Sequence, residues 1–376
     1  MTAERFLHAL GRGSDWRACV AACLSRLRAE PGEALGFVYV TRALARDLGA
    51  VLTALREGTG VEHWVGAVGS GVIATGWEEH EAPAVSVMIA PLPAEDWRLL
   101  ATLMRNGDGP DEDVMDWVGP VAPVLGLVHG DPDNGALPFV IHDLVDQTEG
   151  FLVGGVTAAV ADASVPLQVA GLPTRGGLSG VLFSGHLPAL VGVTQGCRPI
   201  GGWHTVTGTA RMAVAGLDDR LPLDVLREET GARSRAELEA LAGVVGVGVP
   251  LAGSDRGDFE VLPLVAIDPK NGWIATGCGL EPGQRLRFVR RDAGTVEDDM
   301  RAMLRRLKAR LGNRTPRGGV YVGCLARGPR VFGGTAREAR LIAEELGEFP
   351  LTGFFGSGEI SHNRLYSHAG VLTLFL

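Results

Sequence analysis

The chain has 376 residues, 46% of them hydrophobic and 21% charged, which is enough apolar material for two packed cores. Its 35 basic and 44 acidic residues give a net charge of -9, which repels a phosphate backbone or an anionic bilayer surface and argues against a nucleic-acid partner. The longest mostly apolar stretch, 238–253, is cut by glycines and Pro250 and holds Glu239, so no membrane insertion is expected.

Five cysteines without a C-x-x-C pair fit reduced thiols better than a disulfide framework or a structural zinc. Arg5, His8, Arg12 and Asp15 interrupt any secretory signal, and a cytoplasmic location is expected. The 54 glycines follow no collagen-like period and imply many tight turns. Residues 14–28 carry Trp16, Cys19, Val20, Cys23, Leu24 and Leu27 on one helical face with Ser14 as cap, and 1–32 reads as a helical extension. Cys19 and Cys23, one turn apart on that face, read as small core hydrophobes rather than a metal or redox pair. A strand at 36–40 precedes a helix striped by Leu44, Leu48, Val51, Leu52 and Leu55 and closed by Gly58 and Gly60. The glycine-rich turn 66–73 and an apolar strand at 85–89 complete a β-α-β-loop-β unit.

A third, degenerate copy is expected on pattern alone: strand 124–128, helix 137–147, turn 151–155 and strand 180–184, with 172–179 as an exposed loop rich in chain breakers. Residues 217–222 mark a boundary, and Ser234 with Glu237 forms a capping box. Thr295 and Asp298 start a helix that turns Met300, Leu304, Leu307 and Leu311 inward and Arg301, Arg305, Arg306 and Arg310 outward. Near the carboxyl end a strand at 320–322, a helix opened by Thr335 and Glu338, the turn 353–360 and a strand at 371–376 repeat the first unit. The two copies share Val-Tyr-Val at 38–40 and 320–322, Leu-Ala-Arg at 44–46 and 325–327, and five identities between the octets 66–73 and 353–360, which a duplication explains. The predicted fold is mixed α/β, with two related lobes, 33–216 and 217–376, and helices packed on mixed sheets.

The chain resembles the FIST domain family, with an amino-terminal and a carboxyl-terminal FIST lobe over 33–376. The likeness is carried by 66–73, by 191–201 with Val206 and Thr207, by 323–327 and by 353–360. Its most specific part is Cys324-x-x-Arg327 followed by Gly353-Phe-Phe-x-x-Gly-Glu359. The resemblance implies a sensory lobe that recognises small molecules such as amino acids, attached in relatives to signalling modules or F-box adaptors. This length leaves no room for such a module, so the output is expected to pass through a separate signalling partner.

Glu359, in a turn rich in backbone N–H groups, is placed to meet a ligand ammonium or to accept from the turn itself; the first copy has Val72 there, so the fold does not require the acid. Arg327 follows a strand end and suits a ligand carboxylate, or a salt bridge to Glu359. Ser357 and Ser70, with Gly356 and Gly358, offer turn donors to a ligand or hold their own backbone. Gln195 and Arg198 line a cleft or stabilise a loop. Cys324 is a buried strand residue or, given an activating base, a nucleophile, but no His-containing motif near it supplies one. His204 and His362 are lone loop histidines and no Gly-x-Gly run has dinucleotide spacing, so neither metal nor cofactor is expected. The expected function is non-enzymatic binding of a small polar metabolite, with Arg327 and Glu359 as anchors. A protein-interaction scaffold and a cysteine-dependent enzyme are the alternatives.

Overall fold

Three stretches of the chain fold into one series of elements: edge strand, helix, strand, helix, strand, hairpin, closing strand. In the first module these are Leu7–Arg12, Trp16–Leu24, Leu35–Thr41, Leu48–Thr59, His63–Gly69, the hairpin Gly71–Ala74 with Trp77–Glu79, and Ala84–Ala90. The second runs through Trp97–Leu103, Glu112–Val121, Leu125–Gly130, Leu137–Thr148, Phe151–Val156, the hairpin Gln168–Ala170 with Leu172–Thr174, and Leu178–Phe183. The third has Ala189–Thr194, the helix Ala293–Leu311, Gly318–Cys324, Arg337–Leu346, Leu351–Gly356, the hairpin Gly358–Ser361 with Arg364–Tyr366, and Gly370–Phe375. The computed structural model describes residues 5–27, 33–241, 243–250, 259–332, 334 and 336–376.

Within each module the closing strand pairs antiparallel with the edge strand and with the first inner strand, which pairs parallel with the second. Each hairpin, however, completes another module's sheet. Gly71–Ala74 adds to Leu351–Gly356, Gly358–Ser361 to Phe151–Val156, and Gln168–Ala170 to His63–Gly69, which closes a cycle. The turns that launch the hairpins are bonded in the same cyclic sense. Ser70 N donates to Phe355 O (2.8 Å), Ser357 N to Val156 O (2.9 Å) and Ala158 N to Val68 O (2.8 Å).

Phe37, Leu127, Val153, Val181, Val320, Phe354 and Phe375 come from all three sheets and pack into one central core. The outward faces of the first two sheets are covered by their own helices, through residues such as Cys19, Cys23, Leu48 and Leu52 in the first and Val140, Ile141 and Leu144 in the second. Close approach of the parallel strands demands glycine at one repeated place. A Cβ on Gly66, Gly154 or Gly353 would lie 1.7, 1.8 or 1.8 Å from the carbonyl oxygen of Val38, Val128 or Tyr321.

That register corrects the alignment of the copies. Gly66 faces Val38 while Gly353 faces Tyr321, so the two Val-Tyr-Val triplets are offset by one residue. An odd offset reverses side-chain direction in a strand. Tyr39 accordingly enters the central core, and Tyr321 points to Glu338 on the covering helix. The two Leu-Ala-Arg triplets also differ, since residues 44–46 lie in a 3₁₀ helix and 325–327 directly follow a strand.

The mixed α/β class is what the chain adopts, but its compact units are drawn at other points than 216/217: Met1–Thr194 with Arg301–Leu376, and Gln195–Met300. Hairpin exchange holds both ends of the chain in the first unit. Residues 7–12 and the helix behind them, expected as an extension, are part of the first module's sheet and its cover. Asp15 rather than Ser14 caps that helix, accepting from Ala18 N at 2.9 Å. Asp292 rather than Asp298 serves Thr295, accepting from its amide at 2.9 Å. Arg301 is not simply solvated, because it pairs with Glu344 and Glu345. The loop expected at 172–179 contains a hairpin strand, and Ser179 is buried. Thr335 lies outside the described residues.

The second unit is all antiparallel around its sheet. Val245–Pro250, Phe259–Asp268, Trp273–Thr276, Ala213–Leu217, His204–Ala210 and Arg285–Arg290 pair in that order, and the last returns to the first. Closure leaves these six strands as a small barrel without open edges in the ring. Pro222–Thr230 and the capping-box helix Arg235–Ala240 contribute Leu223, Leu226 and Leu238 to its core.

Candidate functional site

The strand Gly318–Cys324 ends in a tight turn in which Leu325 N donates to Gly356 O (2.8 Å) and Arg327 N to Cys324 O (2.9 Å). That turn folds Arg327 back into the first unit, where the side chain is fully buried. Its Nε donates to Glu338 Oε1 at 2.9 Å, and Nη1 approaches His368 O (3.4 Å) and Thr194 Oγ1 (3.5 Å). Glu338, in the first turn of the helix Arg337–Leu346, also accepts from the Tyr321 hydroxyl at 2.6 Å. Glu359 enters from the exchanged hairpin and accepts from Ala369 N at 2.8 Å and from the Cys324 thiol.

Burial dominates the electrostatics. It pushes the Glu359 carboxyl up to about 8, against the opposing pull of the Ala369 amide, the Arg327 charge and the Cys324 thiol. Burial raises Glu338 as well, with the Arg327 charge opposing and Glu78 adding to the rise. Glu338 touches the guanidinium directly through Nε, whereas Glu359 meets the Ala369 amide and the Cys324 thiol, so burial acts on Glu359 with less direct compensation and favours its protonated form.

A concavity of about 600 Å³ opens beside this cluster, lined by Arg12, Trp77, Glu78, Glu79, His80 and Arg340 among others. Glu78 joins the two. Its Oε1 accepts from Ala339 N at 2.9 Å, its Oε2 lies 3.1 Å from His80 Nε2, and its charge is felt by Glu338 and Tyr321. The His80 ring packs 4.5 Å from that of Phe355. Arg12 lies over the half-exposed Trp77 ring at 4.9 Å and 3.6 Å from Glu79. The wall therefore offers both signs of charge and an aromatic face.

Arg327, Glu359 and Cys324 are brought together as the motif suggests, yet the direct partner of Arg327 is Glu338 and all three residues are buried. The turn donors are already used. Ser70 N and Ser357 N bind neighbouring modules, Ser357 Oγ donates to Thr157 O (3.0 Å), Gly356 O accepts from Leu325 N, and Gly358 is paired opposite Val156. These groups bind the fold together instead of presenting donors to a ligand. Gln195 and Arg198 belong to the second unit, where Gln195 Nε2 donates to Phe259 O (2.8 Å) and Arg198 pairs in register with Arg290. Glu78 and His80, five and seven residues beyond the first octet, belong to no motif that singles them out in the sequence, and Glu338 stands out there only as a helix start.

His204, also in the second unit, is held between Asp218 (Nδ1 to Oδ2, 2.7 Å) and Glu229 (Nε2 to Oε1, 2.8 Å). Burial disfavours its charge, but the two carboxylates outweigh burial and raise its pKa.

The model of the FIST N domain matches residues 34–220, and that of the FIST C domain matches 222–362. This chain belongs to the FIST family. FIST domains are sensory, signalling-associated domains. Among its relatives, an uncharacterized protein of Mycobacterium tuberculosis is 32% identical over 338 residues, 83% of each chain. An uncharacterized protein of Mycobacterium bovis is 31% identical over 376 residues, 92% of each chain. The boundary between the two FIST models falls within the second unit. Among the described residues no helix is long and apolar enough to cross a membrane.

Proposed function

We propose that this FIST protein is a non-enzymatic cytoplasmic sensor that binds a small polar metabolite, such as an amino acid, and passes the signal to a separate protein partner. The concavity walled by Trp77, Glu78, Glu79, His80, Arg12 and Arg340 supports this reading, because cationic and anionic groups beside an indole suit a zwitterion. Arg327 and Glu359, first read as direct anchors, act here through Glu78, which joins the concavity to the cluster they form. The non-enzymatic reading is supported by the burial of Cys324, whose thiol is engaged with Glu359 inside the fold, since structural buried thiols are inert.

Thermal-shift screening of the full chain against amino acids and related zwitterions tests the proposal, followed by calorimetric titration. A stabilising metabolite should lose at least about tenfold in affinity, roughly 1.4 kcal/mol, with Glu79→Gln or Arg340→Ala. Unchanged affinity in both variants would move the site elsewhere.

A further inference from the structure

A second group of buried polar side chains lies in the first unit, apart from the Arg327 cluster. Tyr39 Oη is 3.2 Å from His129 Nε2, and Gln168 Nε2 donates to the carbonyls of His129 (2.7 Å) and Gly177 (2.8 Å). His129 faces Ser179 across the antiparallel pair and Gly155 across the parallel pair. Strand alternation puts Ser179 on the same face as the core residue Val181, and Thr157, just beyond the strand Phe151–Val156, donates its amide to the carbonyl of Gly130, the neighbour of His129, at 2.9 Å. All five of these polar residues, Tyr39, His129, Thr157, Gln168 and Ser179, are fully buried.

His129 Nδ1, Thr157 Oγ1, Gln168 Oε1 and Ser179 Oγ nevertheless have no hydrogen-bond partner in the protein. Leaving such a buried atom unmet is costly, and native interiors rarely hold several of them. The repeat does not require the polarity: where the second module sets His129 opposite Ser179, the third sets Val322 opposite Val371.

We propose that these four atoms line an internal hydration site that holds about one or two ordered water molecules. Water matches the set. Gln168 Oε1 only accepts, the two hydroxyls donate or accept, and the imidazole nitrogen does either according to tautomer. No charged side chain belongs to the group, and burial holds His129 neutral, so nothing in it selects an ion.

The test is a high-resolution crystal structure of the full chain together with water-selective NMR. Density within hydrogen-bond distance of at least two of the four atoms, and water cross-peaks at the His129 ring and the Ser179 amide, are expected. Density showing the four atoms bonded to one another or facing a dry gap, with no cross-peaks, overturns the assignment. The double variant Ser179→Ala, Thr157→Val should lose the cross-peaks at His129, and their retention at wild-type strength also overturns it. Should that variant fail to fold, the wild-type measurements decide alone.

Discussion

Arg327 is bonded to Glu338 and not to Glu359: Nε lies 2.9 Å from Glu338 Oε1, and both side chains are completely buried. The most distinctive cation of the carboxyl-terminal motifs thus meets a third residue, which ties the end of one strand to the first turn of a helix. A buried ion pair of this kind makes removal of one partner far worse than removal of both.

Arg327→Ala and Glu338→Gln should therefore each destabilise the unliganded protein, Arg327→Ala by about 3–5 kcal/mol. Urea denaturation reads this directly. The double replacement Arg327→Met, Glu338→Leu should cost less than Arg327→Ala alone. An unmoved midpoint in Arg327→Ala would show that the pair does not hold the fold.

Glu359 predicts a pH dependence. Its folded value of about 8 stands above the ordinary 4.5, so between these the folded protein keeps a proton that the unfolded chain releases. The contribution is greatest below 4.5 and is lost as pH rises toward 8, by at most about 1.4 kcal/mol per unit. Glu359→Gln should flatten that part of the wild-type stability curve. Parallel curves for the two proteins between pH 5 and 8 would contradict it.

His204 has the same sign from a different cause. Its folded pKa is raised above 6.5, so its contribution is fully present below 6.5 and disappears as pH rises through the folded value. An NMR titration of the ring should place it above 6.5, and Glu229→Gln should move it down. A titration unmoved in that variant would assign the shift to Asp218 alone.

At the repeated close approach, Gly66→Ala, Gly154→Ala and Gly353→Ala should each cost at least about 3 kcal/mol, since the new methyl collides with backbone that cannot yield locally. Gly202→Ala is the control. Nothing lies within 4 Å of the added carbon there, and its effect should stay within about 0.5 kcal/mol. Denaturation midpoints that rank the four variants alike would refute the steric reading.

The elements legible in the sequence are those whose cause is local. Alternation and helical stripes mark the first inner strand, the second helix and the closing strand of each module, because burial on one face leaves a period, whereas the second inner strands His63–Gly69, Phe151–Val156 and Leu351–Gly356 read as glycine-rich turns and the helix Glu112–Val121 goes unmarked. The exchange of hairpins was invisible, since Gly71–Ala74 looks the same whether it folds onto its own sheet or onto Leu351–Gly356. Letter matching misled at Val-Tyr-Val, where equivalence is set by the glycine contact and not by residue identity. In the site, Arg327 and Glu359 stood out by motif. Glu338, 11 residues beyond Arg327, and Glu78, 261 residues before Ala339, are joined to the cluster only by tertiary packing.

Cyclic sharing of hairpins also sets the order of assembly during synthesis. Ala74 pairs with Thr352 and Val72 with Phe354, so a nascent chain emerging from the ribosome cannot dock its first hairpin until residues 351–356 have been made. Contacts of such sequence separation are slow to form, because loop closure must precede any gain from them. The first hairpin must wait with its apolar residues, Val72 and Ile73, uncovered. Truncation before residue 351 would strand it permanently, which makes the carboxyl-terminal strands the step that commits the chain to its fold.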